Sequence, residues 1–81
     1  MVPPWADELS RRYWHLRYCR KWDSACKRRH YRKIAEEKKR LLVAGVPYIE
    51  VHLVTRYLAN PDNPNSYRRL QVYYAQGRLF G

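Results

Sequence analysis

The sequence predicts a small, mostly α-helical domain, and three observations support this fold class. From Trp5 to Ala44 no glycine or proline interrupts the chain, so nothing in that stretch breaks a helix. Apolar residues recur there at helical spacing, which is typical of a helix that packs one face against a core. The glycines and prolines of the second half stand where helices are expected to end and begin.

The first helical segment begins at about Trp5, because the two prolines before it suit the first turn of a helix. It forms either one rod or two helices, about 5–22 and 24–44. The only plausible break is Asp23-Ser24, since both residue types cap helices well. We favour the helical hairpin, because a small domain needs helices that fold back on each other. The rod stays an alternative.

Gly45 and Pro47 predict the end of this segment and the start of the next helix. Glycine adopts the left-handed conformation that follows a last helical turn, and proline suits a helix start. The apolar residues of 48–58 alternate like those of a strand, yet they also fill one helical arc, in which only Glu50 is out of place. The prolines on both sides favour a helix.

A turn-rich loop and a short helix follow. Residues 60–65 contain two prolines and four Asn or Asp, all of which favour turns. Asn65 or Ser66 is expected to cap a helix that runs to Gln76, with Gly77 as its stop.

The alternative fold is α+β, with the long helix packed on a hairpin of 48–58 with 67–75. In both cases the chain is one small domain over 1–81. Its basic helical segment covers 5–44 and a compact C-terminal part covers 45–81.

Positive charge is the strongest functional signal in the sequence. The chain has 17 Lys and Arg against 7 Asp and Glu, a net charge of +10. Ten of the cations lie in residues 11–33, beside a single acid, Asp23. An ordinary soluble surface mixes positive and negative charges, whereas this segment is almost entirely positive. It therefore predicts a polyanionic partner.

Helical steps of 100° place rings and cations of this segment on one face. That face holds Tyr13, Trp14, Arg17, Tyr18, Arg20, Lys21, Arg28, Tyr31 and Arg32. The opposite, packing face holds Leu9, Leu16, Cys19, Trp22, Cys26, His30 and Ile34. Guanidinium groups bind phosphate oxygens in forked pairs, and rings stack on unpaired bases.

We therefore predict a small, basic, non-enzymatic protein that binds RNA or DNA, as a regulator or an accessory of a transcription or RNA–protein machine. The predicted contact residues are Arg11, Trp14, Arg17, Tyr18, Arg20, Lys21, Lys27, Arg28, Arg29, Arg32, Lys33, His52 and Arg56. Catalysis is not expected, because the sequence contains no Gly-rich phosphate loop and no nucleophile beside an obvious base.

Residues 34–58 resemble the general helix-turn-helix pattern of a helix, a glycine-bearing turn and a second helix. The polar side of the second helix would present Tyr48, His52, Thr55 and Arg56 to a major groove. The same pattern is common in small helical proteins, so plain helical packing is the alternative.

A protein partner is the alternative to nucleic acid. Trp, Tyr and Arg dominate protein interfaces, so the basic aromatic face can also dock on an acidic or nucleic-acid-binding surface of a larger enzyme. The chain would then be a small inhibitor, regulator or accessory subunit. A homodimer is also compatible with the sequence.

No stretch has the apolar length of a signal peptide or a membrane span. We expect no membrane partner and a cytoplasmic location, or the nucleoid or nucleus together with nucleic acid. The chain has two cysteines, Cys19 and Cys26. On one unbroken helix they would be about 10 Å apart, too far for a disulfide, so a reducing compartment fits best.

No cofactor is predicted, but one metal site is left open. His15 and Cys19, like Cys26 and His30, are four residues apart, and each pair can hold one side of a zinc ion. A single ion reaches both pairs only if the chain folds back at Asp23-Ser24. The familiar Cys-x2-Cys spacing is missing, and buried Cys and His are common on packing faces.

Overall fold

The computed structural model describes residues 2–76, which form four α-helices and one short 3-10 turn. The turn is Pro4–Ala6, followed by α1 (Asp7–Arg17), α2 (Ser24–Val43), α3 (Tyr48–Ala59) and α4 (Pro64–Ala75). The structure is 77% helical, and the described part of the chain contains no strand. The mostly α-helical prediction is confirmed, and the alternative with a 48–58/67–75 hairpin is wrong.

The basic N-terminal segment folds back on itself as a hairpin of α1 and α2, so the continuous rod is excluded. Asp23 caps α2 as predicted: its Oδ1 accepts a hydrogen bond of 2.9 Å from the backbone N–H of Cys26. This bond satisfies one of the free donors in the first turn of the helix. Asp23 therefore fixes where the second arm of the hairpin begins.

The first arm is shorter than predicted, since α1 ends at Arg17 rather than at residue 22. The N–H groups of Tyr18 and Cys19 bond to carbonyls three residues earlier, which tightens the helix end. Residues 18–23 then form the loop that reverses the chain. The sequence has no breaker at Arg17. Helix α1 ends there because its packing on α2 requires a loop that connects the two helices.

Replacing Asp23 by alanine is expected to lower the free energy of unfolding by about 1 kcal/mol, because α2 loses its side-chain cap. In a domain of this size that loss lowers the melting temperature by about 4–8 °C. Thermal unfolding followed by circular dichroism measures it. Asp23→Asn is the matched control, since asparagine removes the charge but keeps a capping oxygen. An equal loss in both variants would contradict a capping role.

The turns around α3 and α4 follow the glycine and prolines. Gly45 has φ +100°, the left-handed conformation expected after α2. Helix α4 begins at Pro64 and is capped by Asn63, whose side chain accepts a bond of 2.9 Å from the N–H of Asn65. The predicted caps Asn65 and Ser66 are therefore wrong. Proline is favoured at the first helical position, so the helix begins at Pro64, earlier in the chain than predicted. The predicted stop at Gly77 lies outside the described residues.

Two buried clusters hold the helices together. The first joins α1, α2 and α3 through Leu9, Ile34, Leu41 and Val51. The second joins the N-terminal turn, α3 and α4 through Ala6, Val54 and Leu70. Because α3 contributes to both, it links the basic hairpin to α4. None of the helices in residues 2–76 combines the length and the apolar composition needed to cross a bilayer.

Glu50 is buried on the apolar side of α3, where the sequence pattern had marked it as out of place. The hydroxyl of Tyr74 on α4 donates a hydrogen bond of 2.9 Å to its Oε2. A buried carboxyl group needs such a partner, because removing it from water is otherwise costly. The residue therefore serves the packing of α3 against α4.

Candidate nucleic-acid interface

The end of the helical hairpin carries most of the predicted contact residues. We call residues 14–31 the hairpin tip; it comprises the end of α1, the loop 18–23 and the first two turns of α2. Four aromatic side chains of the tip are exposed: Trp14 (53%), Tyr18 (69%), Trp22 (77%) and Tyr31 (57%). Rings with half or more of their surface exposed are free to stack on a partner.

The exposed rings lie beside each other and beside cations. The ring centroids of Trp14 and Tyr18 are 4.5 Å apart, with an angle of 49° between the planes. The guanidinium carbon of Arg20 lies 5.7 Å from the centroid of the Trp22 ring, within the range of a cation–π contact. Aromatic and cationic groups therefore share one surface at the tip.

The cations of the tip are little neutralised by the chain itself. Within residues 2–76, no ion pair involves Arg20, Lys21, Arg28 or Arg29. All four are exposed. The one acid of the tip, Asp23, accepts the capping bond of α2. The positive charge is therefore available to an external anion.

Two other basic residues of the tip make weak contacts with backbone carbonyls. Arg17 Nη2 donates to the carbonyl of Leu58 at 3.5 Å, and Lys27 Nζ donates to that of Lys21 at 3.4 Å. Both bonds are long and lie at the surface, so they are easily exchanged for contacts with a ligand.

Three predicted contact residues lie just outside the tip. Arg11 lies 3.6 Å from Glu8, and Lys33 lies 3.9 Å from Glu36, so acids of the same helix partly neutralise them. Arg32 is exposed and, within residues 2–76, has no ion pair. It lies one turn beyond Arg28 on α2 and extends the basic surface along that helix.

Two aromatic residues are placed differently from the prediction. Tyr13 was expected on the outer face but is half-buried against the first core cluster. Burial, with a smaller contribution from Tyr31, raises the pKa of Tyr13. Trp22 was expected to pack but is the most exposed ring of the tip. It lies in the loop, where helical periodicity no longer determines which way a side chain points.

His52 and Arg56 are not brought to the tip. They line an open cleft of about 850 Å³ between α3 and α4, together with Arg68 and Arg69. The sequence pattern did not indicate these last two arginines, because they are separated from the basic N-terminal segment. They adjoin His52 and Arg56 only through the pairing of α3 with α4.

Thr55 was expected on the polar, groove-reading side of α3, but it is buried, and its hydroxyl donates to the carbonyl of His52 at 2.9 Å. Tyr48 is exposed and stacks on His52, with 6.0 Å between the ring centroids. The helix-turn-helix interpretation therefore keeps only part of its predicted reading surface.

The tip also gathers two thiols and two imidazoles. The Sγ atoms of Cys19 and Cys26 and a ring nitrogen of His30 all lie within 4.8 Å of one another. The ring of His15 stacks on that of His30, at 5.5 Å between centroids and 3° between planes. The separation of about 10 Å calculated for an unbroken helix does not apply, because the loop folds the chain back between the two cysteines. Both thiols are free.

The protonation of this group follows from its contacts. A hydrogen bond with Cys26, followed by burial, raises the pKa of the Cys19 thiol to about 11, so this thiol is protonated at neutral pH. Burial, and then the neighbouring Arg12 and His15, lower the pKa of His30. The imidazole of His30 is therefore neutral at pH 7 and keeps a free lone pair.

Comparisons of the chain with protein-family models, with curated proteins and with solved structures found no match.

Proposed function

We propose that this chain is a small, non-enzymatic nucleic-acid-binding protein that uses the hairpin tip as its contact surface. One observation carries the proposal: exposed Trp14, Tyr18 and Trp22 stand among exposed cations that, within residues 2–76, have no acidic partner. A surface made only for solubility would mix both signs of charge and would not expose large rings. A phosphate backbone with accessible bases complements both features.

The two kinds of side chain have separate roles. Arg17, Arg20, Lys21, Arg28, Arg29 and Arg32 bind phosphate oxygens, and the arginines do so in forked pairs. Trp22 and the Trp14–Tyr18 pair supply flat faces for bases. Each base that stacks on such a ring contributes about 1–3 kcal/mol to the binding free energy. Because stacking requires unpaired bases, single-stranded RNA or DNA is the favoured ligand.

Binding of this kind gives affinity with little choice of sequence, since phosphates are the same at every position and every base has a flat face. The biological role that fits is occupation of nucleic acid, or its attachment to a larger transcription or RNA–protein machine. Helices α3 and α4 lie outside the tip and remain available for that machine.

A salt titration tests the proposal. If six cations each contact a phosphate, the logarithm of the association constant for a single strand is expected to fall with the logarithm of salt concentration with a slope of about −4. Fluorescence anisotropy with a labelled single-stranded oligonucleotide measures this slope, and a duplex of equal length tests the strand preference. An affinity that does not change with salt would rule out the phosphate contacts.

A protein partner is the second candidate. The observation that favours it is the size of the exposed side chains Tyr18 and Trp22, since such rings also anchor protein interfaces. The partner would be an acidic or nucleic-acid-binding surface of a larger enzyme. Purification distinguishes the two candidates: a nucleic-acid complex shows excess absorbance at 260 nm that high salt removes, whereas a protein complex shows none and contains a second polypeptide.

A further inference from the structure

We infer that the hairpin tip binds one zinc ion through Cys19, Cys26, His30 and His15. The inference concerns a structural metal site and is independent of the proposed nucleic-acid function. The chain has only two cysteines and three histidines, and all but His52 meet at this one place. Such a set of thiols and imidazoles is the usual ligand set of a closed structural zinc site.

The three closest donors are already near the required arrangement. In a tetrahedral zinc site, with Zn–S of about 2.3 Å and Zn–N of about 2.0 Å, the donor atoms are about 3.5–3.8 Å apart. The two sulfurs and the His30 nitrogen lie within 4.8 Å of one another. They therefore need to approach by only about 1 Å, which small side-chain rotations provide.

The backbone of the tip holds the ligands from two directions. Cys26 and His30 are four residues apart on α2, so they project from the same side of the helix one turn apart. Cys19 comes from the loop, just after the tightened end of α1. A metal ion bound by all three therefore ties the loop to the first two turns of α2.

A second observation concerns the hydrogen bonds of His30. Its Nδ1 is buried and, among the described residues, has no hydrogen-bond partner. Buried polar atoms without a partner are rare in folded proteins and need a physical explanation. Metal binding gives Nδ1 a partner in one of two ways. Either Nδ1 coordinates the ion directly, or the other ring nitrogen does so and Nδ1 bonds to a neighbouring group that moves when the metal binds.

His15 is the fourth ligand. Its ring lies parallel to that of His30 at 5.5 Å, on the last turn of α1 and four residues before Cys19. It is exposed, and its ring also touches that of Trp14 at 5.7 Å between centroids, so it has to leave both ring contacts to turn towards the sulfurs. With His15 coordinated, the ion joins α1, the loop and α2. The ion would then hold the two arms together at the loop end, as Leu9 and Ile34 hold them together in the core.

The chemistry of the site selects zinc over hard cations. Two sulfur and two nitrogen donors suit a tetrahedral, borderline-soft ion, whereas magnesium and calcium require oxygen. Binding of Zn²⁺ releases one proton from each thiol, so two thiolates balance the two charges of the ion. The metal therefore leaves the net charge of the site unchanged and does not add to the repulsion among the cations of the tip.

The test is a cobalt and zinc titration of the untagged full chain, purified with a reducing agent. We expect one Co²⁺ per chain, with the ultraviolet charge-transfer absorption of cobalt–thiolate bonds and the visible absorption of a tetrahedral ion, both lost when one equivalent of Zn²⁺ is added. Metal should also raise the melting temperature, and a chelator should reverse the rise.

Single substitutions assign the ligands. Cys19→Ser, Cys26→Ser and His30→Ala are each expected to abolish the thiolate and tetrahedral signals or to weaken binding at least about tenfold, and His15→Ala is expected to weaken it about tenfold or more. His52→Ala is the matched control, because it removes the one histidine that lies elsewhere and should bind metal like the unmodified chain. Circular dichroism confirms that each variant is helical.

Three outcomes would overturn the inference. If the unmodified chain is helical but does not bind Co²⁺ or Zn²⁺ stoichiometrically, the site is excluded. A Cys19–Cys26 disulfide that forms in the reducing buffer excludes it as well. Unchanged affinity in His15→Ala overturns the assignment of the fourth ligand. All these measurements use the chain without nucleic acid, so their failure is distinguishable from failure of the proposed function.

Discussion

Replacing Arg17, Lys21 and Arg28 together by glutamate is expected to abolish binding of a single-stranded oligonucleotide. The three residues belong to the end of α1, the loop and the start of α2, so their reversal places negative charge across the whole hairpin tip. Even at about 1 kcal/mol for each lost phosphate contact, the affinity falls about a hundredfold, and repulsion adds to this loss. Fluorescence anisotropy at low salt measures the effect.

The control is a second triple variant, Lys39→Glu, Arg68→Glu and Arg69→Glu. These residues are exposed and lie outside the tip, and both variants lower the net charge of the chain from +10 to +4. The control is expected to weaken binding only moderately, through the general field of the molecule. If both variants lost affinity equally, net charge rather than the tip would determine binding.

Replacing Leu9 by alanine is expected to lower the free energy of unfolding by about 2–5 kcal/mol. Leu9 is fully buried and contributes to the cluster that holds α1 against α2 and α3. The total stability of a chain of this length is only about 4–12 kcal/mol. We therefore expect the melting temperature to fall by about 10 °C or more, or the hairpin to unfold. Urea and thermal unfolding followed by circular dichroism measure this.

Leu42→Ala is the matched control for Leu9. It removes the same side chain from a neighbouring helix, but Leu42 is 40% exposed and lies outside both core clusters. The expected cost is about 0.5–1 kcal/mol, because little buried surface is lost. Similar losses in the two variants would show that the packing of α1 on α2 and α3 does not limit the stability of the domain.

Local signals in the sequence were sufficient to predict most of the fold. The capping aspartate at the start of α2, the left-handed Gly45 and the proline before α3 all act through neighbouring backbone atoms, so residue type alone predicts them. The helical period likewise predicted that Leu9 and Ile34 would be buried. These features need no knowledge of distant parts of the chain.

The candidate surface was predicted only in part. The exposure of Trp14 and Tyr18 followed from the helical period, whereas the positions of Tyr13 and Trp22 did not. Tyr13 is drawn inward because it packs against the core cluster that α1 forms with α2 and α3. Trp22 points outward because α1 ends before it. Both outcomes depend on contacts between helices, which periodicity within one segment does not contain.

The amino-acid sequence alone determined the charge of the chain, its helical character and the starts of α2 and α3, since these depend on composition and on interactions between close neighbours. Only the tertiary structure decided that the first arm stops at Arg17, that Glu50 has a partner on α4, and that two thiols and two imidazoles meet at one end of the hairpin. The physical reason is that burial of Leu9 and Ile34 against each other requires the chain to reverse direction. That reversal brings together His15 and His30, which an unbroken helix would keep more than about 20 Å apart, and with them the two cysteines, which it would keep about 10 Å apart.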